Sequence, residues 1–404
     1  MKLIEGGVCA AQGFRASGIH CGVKPGTTKN DLALIVSDCE CAAAATFTNN
    51  RVKAAPVYIG MEHLEDGIAQ AVVANSGNAN ACAPEGMENA RRMAQAAAKA
   101  LGIEERLVLP SSTGVIGQRL NIEAIEGGMK QAAQMLSIDG SQAANQAIMT
   151  TDTVEKTVAV EFTCGGKTCR MGGISKGSGM IHPNMGTMLG YITTDCAITP
   201  SLLRHALCSV VDKTFNCISV DGDTSTNDTC VILANGKAGN EMIEWENTDY
   251  HVFVEALTYV ALTLAKKMAA DGEGATKLIV CNVKNSRAEE YAERMAKAVI
   301  ASSLVKAAMF GADANWGRVL CAMGYSKAPF RPEYVKIGFS SDAGSITVCE
   351  EGAGVDFDEE LAKKILLEKE VTIDIDVAEG NACASAYGCD LTYDYVKING
   401  DYRT

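Results

Sequence analysis

Hydrophobic residues recur along this chain with two periods that alternate from one end to the other. Three segments have apolar residues three or four positions apart, which predicts amphipathic helices. Two segments, 335–339 and 371–377, are apolar at every second position, which predicts strands with one polar face. The helical faces consist of Ala90, Met93, Ala94, Ala97 and Leu101, of Phe253, Leu257, Val260, Ala261, Leu264 and Met268, and of Tyr291, Met295 and Val299. The pattern therefore predicts a mixed α/β fold.

Local signals predict where some elements begin, end and pair. Gly102 directly follows the first helical face and is typical of a C-terminal cap. Thr199 followed by Pro200 is typical of an N-cap and the first turn of a helix. Because the two C-terminal strands have polar faces, we expect antiparallel pairing there.

Composition narrows the classes of function. The chain has 404 residues, enough for two domains or one large one, and a net charge of -13. This charge argues against nucleic acid or an anionic membrane as partner, since both bind basic surfaces. The N-terminus lacks the apolar core of a signal peptide, and no segment approaches a membrane span. We therefore expect a cytoplasmic protein that acts on small molecules.

The cysteines indicate reduced thiols rather than a disulfide framework. Sixteen are scattered along the chain. The close pairs, Cys39 with Cys41 and Cys164 with Cys169, lack the spacing of a zinc knuckle or a redox CxxC motif. In a cytoplasmic protein we expect them to be free.

Polar, glycine-dense segments follow several of the strand-like runs. Loops at strand ends are where a rigid scaffold usually carries its binding groups. These candidate segments are 74–86, 111–117, 172–190, 219–229, 271–276 and 311–318.

The segment 172–190 contains Gly186 directly before Thr187, which is a candidate self-cleavage point. Breaking that peptide bond would free an α-amine on the same residue as the threonine hydroxyl, and the amine could then act as its base. Glycine tolerates backbone conformations that let the hydroxyl approach the preceding carbonyl. The alternative is an ordinary glycine-rich loop between two strands.

A nucleophile elbow competes within the same segment, because residues 173–177 read GISKG and match GxSxG with Ser175 as nucleophile. An elbow leads directly into a helix, whereas Gly177, Gly179 and Pro183 follow and disfavour one. Such a serine hydrolase would also need a base, for which the candidates are His182, His205 and His251.

Other motifs are weaker. Asp221, Asp223 and Asp228 could hold a cation, but their pattern favours a solvated turn over a cation site. Segment 271–277 resembles a phosphate loop but lacks the GxxxxGK[ST] spacing. Thr113 and Gly114 follow a strand-like run and offer a hydroxyl and a backbone N–H to a developing oxyanion, although an ordinary strand-to-helix turn has the same pattern.

Taken together and in order, the loops ANSGNANAC, SSTGVIG, TTDT, KGSGMIHPNMGTMLGYITTD, SVDGDTSTNDT, DGEGATK and GADANWGR resemble those of the ornithine acetyltransferase family. Members of this family are the glutamate N-acetyltransferases of arginine biosynthesis, which cleave themselves and use an N-terminal threonine nucleophile. The resemblance spans nearly the whole chain. It implies a layered α-β-β-α sandwich, similar to the self-processing N-terminal-threonine hydrolases, with a smaller C-terminal α/β part.

The resemblance also implies cleavage between Gly186 and Thr187, giving an α chain of residues 1–186 and a β chain of residues 187–404 that assemble as an α2β2 heterotetramer. Family members more often have Ala-Thr at the junction, and Gly-Thr keeps a small residue there. Thr113 and Gly114 would form the oxyanion hole. The implied substrate contacts are Thr150, Lys176, Thr187, Glu273, Asn399 and Thr404.

The implied reaction is a ping-pong transfer of acetyl from N-acetylornithine to glutamate, with no metal or tightly bound cofactor. Lys176 and Glu273 would complement the substrate's carboxylate and ammonium ends. Asn399 and Thr404 would require the C-terminal tail to dock over the site. The sequence leaves open whether acetyl-CoA also serves as donor. It also leaves open a self-cleaving amidohydrolase or aminopeptidase that passes the acyl group to water, and a non-catalytic binding module with an intact chain.

Overall fold

A computed structural model describes residues 1–24, 26–182 and 188–401. The strands are β1 Lys2–Ile4, β2 Phe14–Ile19, β3 Leu32–Phe47, β4 Ile68–Asn78, β5 Val108–Val115, β6 Lys156–Cys164, β7 Lys167–Lys176, β8 Leu189–Thr194, β9 Ile218–Ser219, β10 Thr229–Ala234, β11 Leu278–Ser286, β12 Lys336–Ser341, β13 Gly344–Glu350, β14 Ala353–Gly354, β15 Glu370–Asp376 and β16 Ala382–Cys389. The helices are α1 Ala55–His63, α2 Gly86–Leu101, α3 Ile122–Gln134, α4 Ser141–Ile148, α5 Pro200–Lys213, α6 Thr248–Ala270, α7 Glu289–Ala301, α8 Ser303–Phe310, α9 Trp316–Gly324, α10 Glu359–Leu366 and α11 Tyr393–Asp401.

The larger sheet has nine strands and is divided by its longest strand, β3. The order is β1-β6-β7-β8-β10-β3-β4-β5, and β2 pairs with the first half of β3. The pairing of β3 with β4 shifts register between Val36 and Cys41. The first half of β3 therefore pairs with β2 and β4, and the second half pairs with β10.

Three apolar cores show that the two parts of this sheet lie face to face. One core contains Tyr191 of β8 and Val231 of β10 together with Ile35 of β3 and Val72 of β4. A second core packs α5 and α6 against the outer face of β6, β7, β8 and β10. A third packs α2 and α3 against the outer face of β2 to β5. The layers are therefore α-β-β-α, as the resemblance predicted.

The smaller C-terminal part is built on a seven-stranded sheet in the order β14-β13-β12-β15-β11-β16-β9. One face packs against α7, α8, α9 and α10. On the other face, Leu278 and Val280 of β11 and Tyr387 of β16 join the core around α6. Helix α6 thus connects the two sheets, which explains why its predicted face is completely buried.

Most of the predicted elements are confirmed. The three helical faces fall on α2, α6 and α7, and Gly102 caps α2 with a positive φ of 71°. Helix α5 begins at Pro200, but the Thr199 side chain makes no capping hydrogen bond. The expected antiparallel pairing holds for β12 with β13 and β15, whereas β11 pairs in parallel with β15. Among the described residues, no helix is long and apolar enough to cross a membrane.

Candidate active site

A cavity of about 220 Å³ lies where the loops of the larger sheet meet the C-terminal helix. Its lining brings together parts of the chain that are far apart in sequence. Six of the predicted site residues line it, namely Thr113, Gly114, Thr150, Lys176, Glu273 and Asn399. The cavity is therefore the place where the chemistry predicted from sequence would occur.

Gly114 occupies its position for a steric reason. It belongs to the end of β5, where the pairing with β4 becomes irregular around Asn78. Its φ is +132°, which side-chain-bearing residues rarely adopt. A Cβ on Gly114 would lie 2.3 Å from the carbonyl carbon of Gly77. Thr113 and Gly114 were expected to follow a strand, but they form the end of β5. The irregular pairing of β5 with β4 around Asn78 sets their orientation.

Buried amide side chains hold this strand end in place. Asn227 donates from Nδ2 to the carbonyl oxygens of Ala79 and Ser112, at 2.6 and 2.8 Å. The Ser112 hydroxyl donates to Asn75 Oδ1 at 2.6 Å. The candidate oxyanion donors are thereby attached to the loop before β10 and to β4.

Asp152 organises the other side of the cavity. Its carboxylate is buried and accepts hydrogen bonds from the backbone N–H groups of Thr150 and Gly177, at 3.0 and 2.7 Å. Lys156 Nζ donates to the same carboxylate at 2.7 Å, and Lys176 Nζ lies 4.0 Å from it. Burial raises the pKa of Asp152, but Lys176 and Lys156 outweigh burial and hold the pKa well below its usual range. Asp152 is therefore an anion that fixes Thr150 and Lys176 together.

Lys156 also binds a second carboxylate, that of Asp271, and Asp271 helps to position Glu273. Lys156 is fully buried, and its Nζ lies 2.5 Å from Asp271 Oδ2. Asp271 also accepts from the backbone N–H of Thr153 at 3.0 Å, and its carbonyl accepts from the Ser178 hydroxyl at 2.7 Å. The Glu273 N–H donates to the Ser178 carbonyl at 2.9 Å. We call the group of Asp152, Lys156, Lys176 and Asp271 the buried ion network.

Lys176 is the cation of the network that faces the cavity. It is 8% exposed, and burial lowers the pKa of its ammonium, while Asp152 opposes that shift. A buried ammonium needs a counterion, and an anionic ligand in the cavity would be a second one. The geometry favours a ligand with a carboxylate.

The C-terminal helix docks over the cavity, as the predicted role of Asn399 required. Asn399 Nδ2 donates to Glu273 Oε2 at 2.8 Å. The Thr392 hydroxyl donates to the carbonyl of Gly274 at 2.7 Å, and Tyr395 donates to Asp221 at 3.3 Å. Helix α11 therefore forms one wall of the cavity.

Three predicted residues, Gly186, Thr187 and Thr404, lie outside the described residues. The residue after Thr187 is described, however. Met188 lines the cavity, and its carbonyl accepts from the Thr229 N–H at 2.8 Å. The chain therefore enters β8 directly from the cavity.

The competing motifs from sequence do not form sites. Ser175 lies within β7, is 1% exposed, and has no hydrogen-bond partner for its hydroxyl among the described residues. No helix follows it at once, and His182 bonds instead to the Ser219 hydroxyl at 3.0 Å. Asp221 accepts from the N–H groups of Met180 and Ile181 and from the N–H of Asp223, so its carboxylate joins two segments of the chain that are about forty residues apart.

Asp228 also lines the cavity, although the sequence analysis considered it only as a possible cation ligand. It is 1% exposed, and its Oδ2 has no partner within the part of the chain that the structure describes. Burial raises its pKa well above the usual range, and the nearby Lys176 opposes that shift. Its sequence signal was weak, because an aspartate in a polar segment normally indicates solvent.

Removing the buried ion network's central cation should destabilise the protein. Lys156→Met would leave Asp152 and Asp271 buried without that partner, and we expect the free energy of unfolding to fall by about 3–5 kcal/mol. Urea denaturation followed by circular dichroism measures this. Lys336→Met is the matched control, because its pair with Glu350 is about half exposed, and it should cost less than about 1 kcal/mol. Equal effects of the two variants would contradict this view of the network.

Comparison with known proteins identifies relatives of this chain. An arginine biosynthesis bifunctional protein ArgJ from Caldanaerobacter subterraneus subsp. tengcongensis is 51% identical over 405 residues, covering all of both chains. The protein of that name from Bacillus subtilis is 44% identical over 403 residues, covering 99% of this chain and 97% of the relative.

A crystal structure of the arginine biosynthesis bifunctional protein ArgJ from Bacillus halodurans is also similar. It is 43% identical with a TM-score of 0.50, and the match covers 52% of this chain and 98% of the solved one. The model of the ArgJ family matches residues 15–404. The cavity thus lies in a chain that has ArgJ-type sequence over nearly its whole length. The protein belongs to the ArgJ family.

Proposed function

We propose that this protein is a glutamate N-acetyltransferase that moves acetyl from N-acetylornithine to glutamate. The observation that carries the proposal is the convergence of Thr113, Gly114, Lys176, Glu273 and Asn399, from distant parts of the chain, on one cavity that Met188 also lines. The relatives' names place them in arginine biosynthesis, which supports the same substrates. The proposed site set is Thr187, Thr113 and Gly114 for catalysis, with Thr150, Lys176, Glu273, Asn399 and Thr404 for binding.

The chemistry begins with hydrolysis of the peptide bond between Gly186 and Thr187, in which the Thr187 hydroxyl attacks the Gly186 carbonyl and water then cleaves the resulting ester, leaving a carboxylate on Gly186 and a free amine on Thr187. The freed α-amine of Thr187 takes the proton of its own hydroxyl, and the oxygen attacks the acetyl carbonyl of N-acetylornithine. Thr113 and the N–H of Gly114 stabilise the oxyanion. Ornithine leaves with the proton, and the acetyl group remains as an ester on Thr187. The amine of glutamate then attacks this ester and restores the free hydroxyl.

Charge complementarity sets the orientation of the donor substrate in this proposal. Lys176 would bind the α-carboxylate of N-acetylornithine, since its ammonium is buried and faces the cavity. Glu273 would bind the δ-ammonium and is held by Asn399. Glutamate has no such ammonium.

The sheet itself accommodates cleavage into residues 1–186 and 187–404. Strand β8 pairs with β7 on one side and with β10 on the other, so both products stay in one sheet. The solved chain from Bacillus halodurans is matched over 98% of its own length but covers only 52% of this chain. Its length therefore supports a cleavage product of about half this chain. Assembly as α2β2, a cytoplasmic location and the absence of a required cofactor complete the proposal.

The Thr187→Ala variant should remain a single chain without acetyltransferase activity, because it lacks the hydroxyl needed for both steps. Denaturing electrophoresis of the purified variant and wild type measures cleavage, and ornithine release measures activity. Thr199→Ala is the control, since its side chain makes no capping bond, and it should split like wild type. Cleavage of Thr187→Ala at residue 186, or retained activity, would refute the mechanism.

The Glu273→Gln variant tests the orientation of the substrate. Bonds to charged groups are worth about 1.5–3 kcal/mol, so KM for N-acetylornithine should rise roughly ten- to hundred-fold. KM for glutamate should change much less, because glutamate lacks the δ-ammonium. Steady-state kinetics with each substrate varied measures both values, with exposed Glu65→Gln as control. An equal rise for the two substrates would reject the assignment of Glu273.

Acetyl-CoA is a second proposed donor, supported by the word bifunctional in the relatives' names. Incubation with glutamate and acetyl-CoA, without acetylornithine, should yield acetylglutamate and free thiol. The assay repeated with N-acetylornithine in place of acetyl-CoA separates a transferase from a hydrolase. Acetate as the main product in the presence of saturating glutamate would identify an amidohydrolase instead.

A further inference from the structure

Three cysteine side chains meet at the end of the larger sheet that lies away from the cavity. In the β6–β7 hairpin, Cys169 lies opposite Phe162, so Cys164, two residues further, points to the same face. The β7–β8 register, with Met171 opposite Thr194, brings Cys196 level with Cys169. Their three sulfur atoms all lie within 4.8 Å of one another, and each residue is at most 1% exposed.

The spacing of these sulfurs suits a tetrahedral metal ion. A Zn–S bond of about 2.3 Å gives an S–S edge of about 3.8 Å in a tetrahedron. The sulfurs of Cys164 and Cys196 are 3.8 Å apart. A disulfide would instead need about 2.05 Å. All sixteen cysteines are free thiols, so this cluster retains its three ligand atoms.

An oxygen donor lies beside the cluster, and its orientation is fixed. Asn240 Oδ1 is 3.8 Å from the sulfur of Cys169 and accepts from the Ala197 N–H at 2.8 Å. Asn240 Nδ2 donates to the carbonyls of Ala197 and Glu241, at 3.2 and 2.8 Å. Because both amide donors are used, the oxygen must face the thiols.

We propose that Cys164, Cys169 and Cys196 bind one Zn²⁺, with Asn240 Oδ1 as the nearest fourth donor. Each thiol releases its proton on binding, so the three thiolates and the cation give a site of net charge -1. In this structure the thiol of Cys196 donates to the sulfur of Cys164. Sequence spacing gave no sign of this site, because Cys196 follows β8 and lies far along the chain from Cys164 and Cys169.

The zinc site is structural and separate from the cavity. Cys169 and Lys176 lie seven residues apart on β7, about 23 Å at about 3.3 Å per residue. Cys164 and Cys169 precede residue 186, whereas Cys196 follows it. The ion would therefore join the two polypeptides after cleavage. Only this last consequence rests on the proposed function, because an uncleaved chain has the same three ligands.

Metal analysis of the whole protein tests the proposal. Protein expressed with zinc and dialysed to remove loose metal should contain about one zinc per chain by plasma mass spectrometry. Cys196→Ser should reduce this to background. Cys230→Ser, which alters a buried cysteine of β10 in the same core, should retain the zinc and controls for misfolding. Uncleaved Thr187→Ala should bind as much zinc as wild type, which separates this proposal from the proposed cleavage.

A second measurement on wild type covers the case in which Cys196→Ser does not fold. Protein refolded with Co²⁺ should show thiolate-to-cobalt charge-transfer absorption and visible d–d bands of a tetrahedral site. Wild type with no more zinc than Cys196→Ser, or refolded protein without these bands, would overturn the proposal. Copper in place of zinc, or an intact mass lower by two hydrogens from a disulfide in the cluster, would also overturn it.

Discussion

The candidate site depends on one buried arrangement of charges, in which Asp152 and Asp271 share Lys156. None of these groups has water to replace a lost partner, so removing one leaves an uncompensated charge. The network joins the loop of Thr150, the end of β7 at Lys176 and the turn that carries Glu273. The proposed substrate-binding groups from three distant segments are therefore held at fixed spacing by this network.

Sequence predicted secondary structure well where the residues of a single helix or strand determine its structure. The faces of α2 and α6 and the alternation of β15 follow from their own residues. The site residues came from ordered loops that resemble a known family, and six of them line one cavity. What sequence did not reveal depends on partners far along the chain. Lys156 was not among the predicted residues, since its partner Asp271 lies 115 residues away. The division of the larger sheet depends on a register shift within β3.

The proposed cleavage point is not a boundary between folding units. Strand β8 lies between β7 and β10, so its hydrogen bonds cross from one proposed fragment to the other. The core around α6 likewise contains Val160 and Met171 from the first fragment and Leu257 from the second. Separating the fragments would expose this apolar surface, which keeps them together without a covalent link.

Helix α11 has a further consequence, which concerns motion. It has no buried residue, and it is attached by a few hydrogen bonds, such as those of Asn399 and of Thr392 just before the helix, and by the edge-to-face ring contact of Tyr393 with Phe310. Segments held in this way open at low free-energy cost while the cores remain intact. Local opening of the cavity wall that α11 provides therefore costs less free energy than opening of the walls formed by β5 and β7, whose strands are hydrogen-bonded within the larger sheet.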